Sequence, residues 1–254
     1  MKPTDFSGFL RTLEERHLSD LRFSEVTRAL RALSSAYVER RETALAERKA
    51  LDGAGKRAAF ALYYGPIHFL LVQHIVRELD AAPERGTVVD LGCGTGVAGA
   101  AVATAAPATA KAVAVHVLGI DTHPWALDEA RFTYKAFGLR ADVRRGHAAR
   151  TRFPADTSFI VAAFVVNELN DHDRSEMIRH LKVAAISARV LIVEPISQRI
   201  SPWWDEWTRE LGGRADEWRI KMDAPPIVKR LSKAAGLRPE VLTARSLFVN
   251  SRPA

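Results

Sequence analysis

Cysteine is almost missing from this chain: Cys93 is the only one in 254 residues. A single thiol forms no intramolecular disulfide and supplies no multi-cysteine metal site. Inside a glycine-rich turn it reads as small apolar filler in a reducing compartment rather than as a nucleophile. Long apolar runs are missing too. The most apolar span, residues 58–76, is interrupted by Gly65-Pro66 and carries His68, Gln73 and His74. It lacks the unbroken apolar length that a membrane span requires. The opening Met1-Lys2-Pro3-Thr4-Asp5 has no apolar segment of the signal-peptide kind. The expectation is a cytoplasmic protein with no membrane partner. Long basic runs, internal repeats and low-complexity segments are also absent, although the formal net charge is +7. That excess fits a polyanionic partner, ribosomal or transfer RNA first, and equally a surface that uses arginine freely.

What remains has ordinary globular composition, 47% hydrophobic and 26% charged. The length allows one large α/β domain, or a smaller one with an accessory subdomain. Residues 1–82 read as helical. Val26, Leu30, Leu33 and Tyr37 recur at helical spacing, with Ser24 as N-cap and Asp52-Gly53 as stop. A second helix is predicted over 58–64, ended by Gly65-Pro66, with Pro66 opening a third that reaches Leu79. From residue 83 the pattern alternates. Strands are predicted at 87–91, 113–121, 141–145, 159–166 and 190–194, with helices at 96–106, 124–137, 173–188 and 225–235. Two short closing strands are predicted at 241–244 and 246–250. Strands alternating with helices imply an α/β, doubly wound, mostly parallel sheet. The predicted division is a helical accessory subdomain over 1–82 and the sheet domain over 83–254.

The most informative stretch is Val88-Val89-Asp90-Leu91-Gly92-Cys93-Gly94-Thr95-Gly96-Val97-Ala98-Gly99. A strand ends in an acid, and a turn with glycine at alternate positions feeds a small-residue helix. Such a turn brings backbone close to a ligand. The dinucleotide fingerprint would place its third glycine where Val97 stands. A P-loop would follow its last glycine with Lys and then Ser or Thr, and none is present. Asp-Leu-Gly-Cys-Gly-Thr-Gly resembles motif I of class I S-adenosylmethionine (SAM) dependent methyltransferases. The resemblance implies a seven-stranded sheet closed by an antiparallel hairpin, SAM as cofactor, and a methyl-transferring enzyme.

On that resemblance Asp90, Gly92, Cys93, Gly94 and Gly96 form the seat for the methionine end of the cofactor. A carboxylate at the end of the next strand suits the two ribose hydroxyls, and Gly119-Ile120-Asp121 supplies one, with Thr122 beside it. Where the family often has an acid after the third strand, this chain has Arg145-Gly146-His147, which makes His147 the candidate adenine contact. The fourth strand ends in Asn167-Glu168, and strand C-termini face the ligand crevice in doubly wound folds. Asn167 is predicted to touch cofactor or acceptor. Glu168, His172 and Glu194 are candidate bases, needed only for an acceptor that is protonated at working pH. Tyr64 is a candidate lining residue of the acceptor pocket, and Trp203, Trp204, Trp207 and Trp218 form either core or an aromatic acceptor wall. Residues 162–170 with Val193-Glu194-Pro195 also resemble the mitochondrial small-ribosomal-subunit methyltransferase-like proteins and their bacterial relatives, which usually carry a cysteine cluster that one Cys cannot supply. Two functional readings follow. One is a transferase acting on an unidentified small molecule or RNA, and the other a non-catalytic SAM-binding protein of RNA or ribosome assembly.

Overall fold

The computed structural model describes residues 5–39, 51–106, 114–221, 223–237 and 241–250. Among the described residues three helices come first: α1 (Phe6–Leu18), α2 (Phe23–Glu39) and α3 (Ala54–Glu78). Then follow β1 (Arg85–Leu91), α4 (Val97–Ala103), β2 (Ala114–Asp121), α5 (Pro124–Ala136), β3 (Arg140–Arg145), β4 (Thr157–Ala163), α6 (Asp171–Ala184) and β5 (Arg189–Glu194). The chain ends with α7 (Trp204–Leu211), β6 (Arg214–Lys221), α8 (Pro226–Ala235) and β7 (Val241–Val249). The strands make one seven-stranded sheet in the order β3-β2-β1-β4-β5-β7-β6. The pairs from β3 through β5 are parallel, and β7 runs antiparallel to β5.

Burial explains the sequence pattern. β1 lies between β2 and β4, and Thr87 through Leu91 are buried, so this strand reads as a continuous apolar run rather than an alternation. Each such Val or Leu contributes roughly 1.5–3 kcal/mol by leaving water. All seven residues of α4 are buried, and small residues are what permit that. A Cβ on Gly99 would stand 2.7 Å from the Asp90 carboxylate. β3, at the sheet edge, alternates half-buried and exposed residues.

The described residues divide into two compact units. One comprises Phe69–Trp218 with Thr243–Ala254, and holds β1 to β5 with most of β6 and β7. The other comprises Thr4–His68 with Arg219–Leu242. In the second, Phe9, Leu13, Leu30, Leu62 and Leu231 are buried, and the Arg230 guanidinium stacks 4.8 Å over the Phe23 ring.

Several sequence expectations change here. Gly65-Pro66 does not break the helix. Residues Phe60–Tyr64 form a π-turn, with the Gly65 amide donating to the Phe60 carbonyl, so Pro66 is absorbed and α3 continues. A proline collides with the carbonyl four residues back, and the wider π-turn is one way to relieve it. By length and composition α3 is long and apolar enough to cross a membrane, but 61% of its most apolar stretch is buried within the protein, as in a core helix. Gly53, read as a helix stop, instead precedes α3 at φ 88°, and the chain between Glu39 and Leu51 lies outside the described residues. α2 starts at Phe23, ahead of Ser24; the Arg22 amide donates to the Glu25 side chain. The fourth strand stops at Ala163, three residues early, because Phe164 takes φ 59°. The closing hairpin is not two short strands within 241–250. β7 is one continuous strand, and its hairpin partner is β6, around Trp218.

Candidate active site

The turn after β1 is held open by its own residues. Gly92, Gly94 and Gly96 have φ of 63°, 50° and 77°, the left-handed region in which glycine pays no steric penalty. At Gly92 the requirement is also spatial: a Cβ would lie 2.2 Å from Val165 Cγ2. At Gly96 it would lie 2.9 Å from Ala130 on α5. The glycines thus let other protein segments approach the turn.

Asp90 supports this turn from below. It is 1% exposed, and its Oδ2 accepts from the Gly99 amide at 2.7 Å and the Tyr134 hydroxyl at 3.0 Å. Burial pushes its carboxyl up to about 7, against the two hydrogen bonds that favour the charge. The same burial drives the Tyr134 phenol and the Cys93 thiol well above their ordinary values. Cys93 is therefore packing, buried at 4% exposure, with its sulfur against Gly119.

Asp121 ends β2 beside the turn. Its Oδ2 accepts from the Gly94 amide at 2.9 Å, and its Oδ1 accepts from the His123 amide at 2.8 Å. It therefore clamps the glycine turn to the start of α5. Each oxygen keeps a second acceptor position, and the side chain is half-exposed. Two of the turn's amides are already bonded within the protein. The Gly94 amide is taken by Asp121, and the Gly96 amide by the Cys93 carbonyl at 2.7 Å. What the turn does offer is Thr95: the residue is 3% exposed, and its hydroxyl has no hydrogen-bond partner. A buried hydroxyl without a partner and a half-exposed carboxylate with two spare acceptor positions fit a zwitterionic ligand that carries a diol.

Thr122 is exposed next to Asp121. His147 lies at the end of β3, and its ring is committed to the protein. Nδ1 accepts from the Ala149 amide at 3.4 Å, and Nε2 lies 3.6 Å from Asp173. Asp173, 6% exposed, also receives Arg150 at 2.7 Å and Asn170 at 2.8 Å. An acid does stand behind β3, but it comes from α6, where sequence offered no link to it.

Beyond β4 the chain makes a tight turn. Phe164 is left-handed, Val165 rests against Gly92, and Val166–Glu168 is a short 3-10 turn. Asn167 follows the strand end as expected. Its Nδ2 donates to Glu194 Oε2, and its Oδ1 accepts from Trp203 Nε1 at 3.2 Å. Glu194 is fully buried and also accepts from the Val166 amide at 2.8 Å. It is a structural acceptor out of reach of solvent, which removes it as a base that meets an acceptor. Burial pushes its carboxyl up to about 8, opposed by the Val166 and Asn167 amides and by Arg245. Glu168 and His172 are exposed. Tyr64 belongs to the other compact unit, edge-on to Tyr63 at 5.1 Å, and burial pushes its phenol up to about 12. At neutral pH it can donate a hydrogen bond but cannot act as a base. Trp203, Trp204 and Trp207 are buried at 3–7% exposure, with Arg245 stacked 4.6 Å over Trp204. Arg245 and Tyr134 had no signal in the sequence, because both act across long chain separations.

No curated protein sequence matches the chain. Similar solved structures include a precorrin 8W decarboxylase from Methanobacterium thermoautotrophicum, at 18% identity, covering 70% of this chain and 88% of that one, TM-score 0.48. Others are a SAM-dependent methyltransferase from Aquifex aeolicus, at 17% identity, 70% and 89% coverage and TM-score 0.45, and the tRNA (uracil-54, C5)-methyltransferase of Pyrococcus abyssi in complex with S-adenosyl-L-homocysteine, at 15% identity, 70% and 38% coverage and TM-score 0.45. Residues 88–184 match the family described as "Methyltransferase domain". That segment runs from the acid-ended strand through Asp121 and Asn167 into α6, so the match to a methyltransferase domain takes in the glycine turn and the strand ends around it.

Proposed function

We propose that this enzyme methylates RNA, with the acceptor entering across the β3 edge toward the turn that follows β4. The observation that carries the reading is the placement of charge. Arg140, Arg144, Arg145, Arg150 and Arg152 are all exposed, on β3 and the turn after it. Arg145 stands opposite Asp121 in the β2–β3 register, so the basic strip begins beside the candidate ribose carboxylate. Asp142, the exposed acid on that strand, is paired with His116 at 3.0 Å. Exposed arginines held at an edge suit phosphate contacts, which position a nucleic acid without reading its sequence.

Bound SAM supplies a methyl group on a sulfonium that is already activated for displacement. The protein's contribution is alignment. In this reading Asp121 takes the ribose hydroxyls on its free acceptor positions, and the Thr95 hydroxyl meets the amino-acid end of the cofactor. Gly92, Gly94 and Gly96 shape that seat while Asp90 holds it from behind. Thr122 and His147 flank the adenosine. Asn167 retains one amide hydrogen for the acceptor, because its other bonds are internal. Its role is to orient the acceptor. Glu168, exposed at the end of that turn, would take a proton only from an acceptor that carries one.

The test has two arms. Isothermal titration of S-adenosylhomocysteine against Asp121→Ala should show affinity reduced about 30- to 100-fold, the loss of a charge-assisted pair. Unchanged affinity would remove Asp121 from the seat. Labelled methyl transfer to total RNA and to a small-molecule extract then reads the acceptor. Label in RNA supports the proposal. Label only in small molecules overturns the RNA assignment, and tight cofactor binding without transfer to either would favour an assembly role.

A further inference from the structure

The turn after β4 is the most constrained piece of backbone near the glycine turn, and one buried carboxylate organises it. Phe164, a non-glycine residue, sits at φ 59°, a conformation that persists only when the surroundings over-determine it. Val165 then fills the space that a Cβ on Gly92 would need. Glu194, at the end of β5 and fully buried, receives the Val166 amide on Oε1 and the Asn167 side-chain amide on Oε2. The other face of Asn167 is fixed by Trp203, whose indole N–H can only donate. The orientation of the Asn167 amide is thus determined from both sides: oxygen toward Trp203, nitrogen toward Glu194.

We propose that Glu194 is a positioning residue of the transfer site, whose carboxylate locks the Val165–Asn167 turn against Gly92 and, through Asn167, fixes the indole of Trp203. The chain of bonds has one satisfied arrangement, and it requires both Glu194 oxygens to accept. A proton on Oε2 that points at the Asn167 nitrogen sets a donor against a donor. Rotating the Asn167 amide by half a turn relieves that conflict, but it places the Asn167 nitrogen against the Trp203 N–H. The conflict therefore moves along the chain to the indole. The charged group that acts on Glu194 is Arg245, its cross-strand partner on β7, and Asp205 and Glu217 act in turn on Arg245. The Arg245 guanidinium donates to the Pro195 carbonyl at 3.0 Å and the Ser201 hydroxyl at 2.6 Å, and it favours the carboxylate through space. Burial acts the other way, and the carboxyl titrates near 8. Raising pH through that value tightens the turn; lowering pH loosens it.

The inference rests on the reading of the Gly92 turn as the cofactor seat for its binding arm, but its spectroscopic arm is independent of any ligand. In the ligand-free full chain, tryptophan emission followed from about pH 6 to about pH 9.5 should show a step centred near 8, and the step should vanish in Glu194→Gln and in Trp203→Phe. S-adenosylhomocysteine affinity of the wild type should rise about tenfold across that step, whereas Glu194→Gln should bind weakly at both ends. A step that persists in Glu194→Gln, or a variant with wild-type affinity and wild-type pH profile, would overturn the proposal. Should Glu194→Gln not fold, Asn167→Ala leaves the buried acid its backbone donor and must still abolish the emission step; a retained step overturns the coupling. If no protein binds the ligand while the emission step behaves as stated, the cofactor-seat reading fails and the positioning role of Glu194 stands.

Discussion

Replacing Gly92 with alanine isolates what the glycine turn requires. Two costs arise together. At φ 63° an L-residue enters the left-handed region, at about 1–2 kcal/mol. The new methyl would also stand 2.2 Å from Val165 Cγ2, so Val165 must retreat, and repacking of that kind costs about 1–3 kcal/mol. The expected destabilisation is about 2–5 kcal/mol, measured as a shift in urea midpoint at constant slope. The two costs can be separated with Val165→Ala. Alone, that variant loses buried methyl groups and is destabilised by about 1–2 kcal/mol. Combined with Gly92→Ala, it removes the colliding methyl, so the double variant should be more stable than the sum of the singles by at least about 1 kcal/mol. Strictly additive values would refute the contact between the two turns and leave only backbone strain. Cofactor affinity should follow the same cycle: lost in Gly92→Ala and partly recovered in the double variant.

Two further outcomes are expected. Asp90 sits near 7 rather than at its ordinary 3.8, so the folded chain keeps a proton that the unfolded chain has lost. The stability due to this group is full below about 3.8 and fades as pH rises through 7. Asp90→Asn, neutral throughout, should flatten the fall in urea midpoint between about pH 4 and about pH 7, and equal slopes in the two proteins would assign that fall elsewhere. Trp207 is 3% exposed, with its ring 4.8 Å from that of Trp203. Trp207→Ala should cost about 3–5 kcal/mol, as for a core aromatic; a variant of wild-type stability that lost only acceptor binding would restore the aromatic-wall reading.

Local signals carried much of this architecture. Asp90 to Gly96 could be read because the chemistry of a strand-end acid and three left-handed positions falls within seven consecutive residues. Asp121 followed from the βαβ spacing. The partners of these residues were not legible, since they meet only on folding: Tyr134 reaches Asp90 across 44 residues, and Trp203 reaches Asn167 across 36. β6 was missed for a different reason. Arg-Ala-Asp-Glu-Trp-Arg-Ile-Lys is an edge strand, largely exposed, and its charges hide the alternation of Trp218 and Ile220. The Gly65-Pro66 pair misled because a π-turn leaves no mark in composition. Glu194 looked like a reactive acid at a strand end, yet the end of β5 is covered by the turn after β4 and by β7.

The strand order has a consequence for synthesis. β7 leaves the ribosome after β6, yet it is inserted between β5 and β6 rather than added at the margin. Until it emerges, β5 presents an open hydrogen-bonding edge and β6 has no neighbour to pair with. The parallel strands from β3 to β5 can assemble earlier, so the nascent chain passes through a stage with a sticky, half-finished sheet. The charged face of β6 suits that interval, since it discourages strand addition by a stranger while the proper neighbour is still being made. Arg245 arrives on that same strand, so the buried acid at the end of β5 gains its cation only after β6 and α8 have been made.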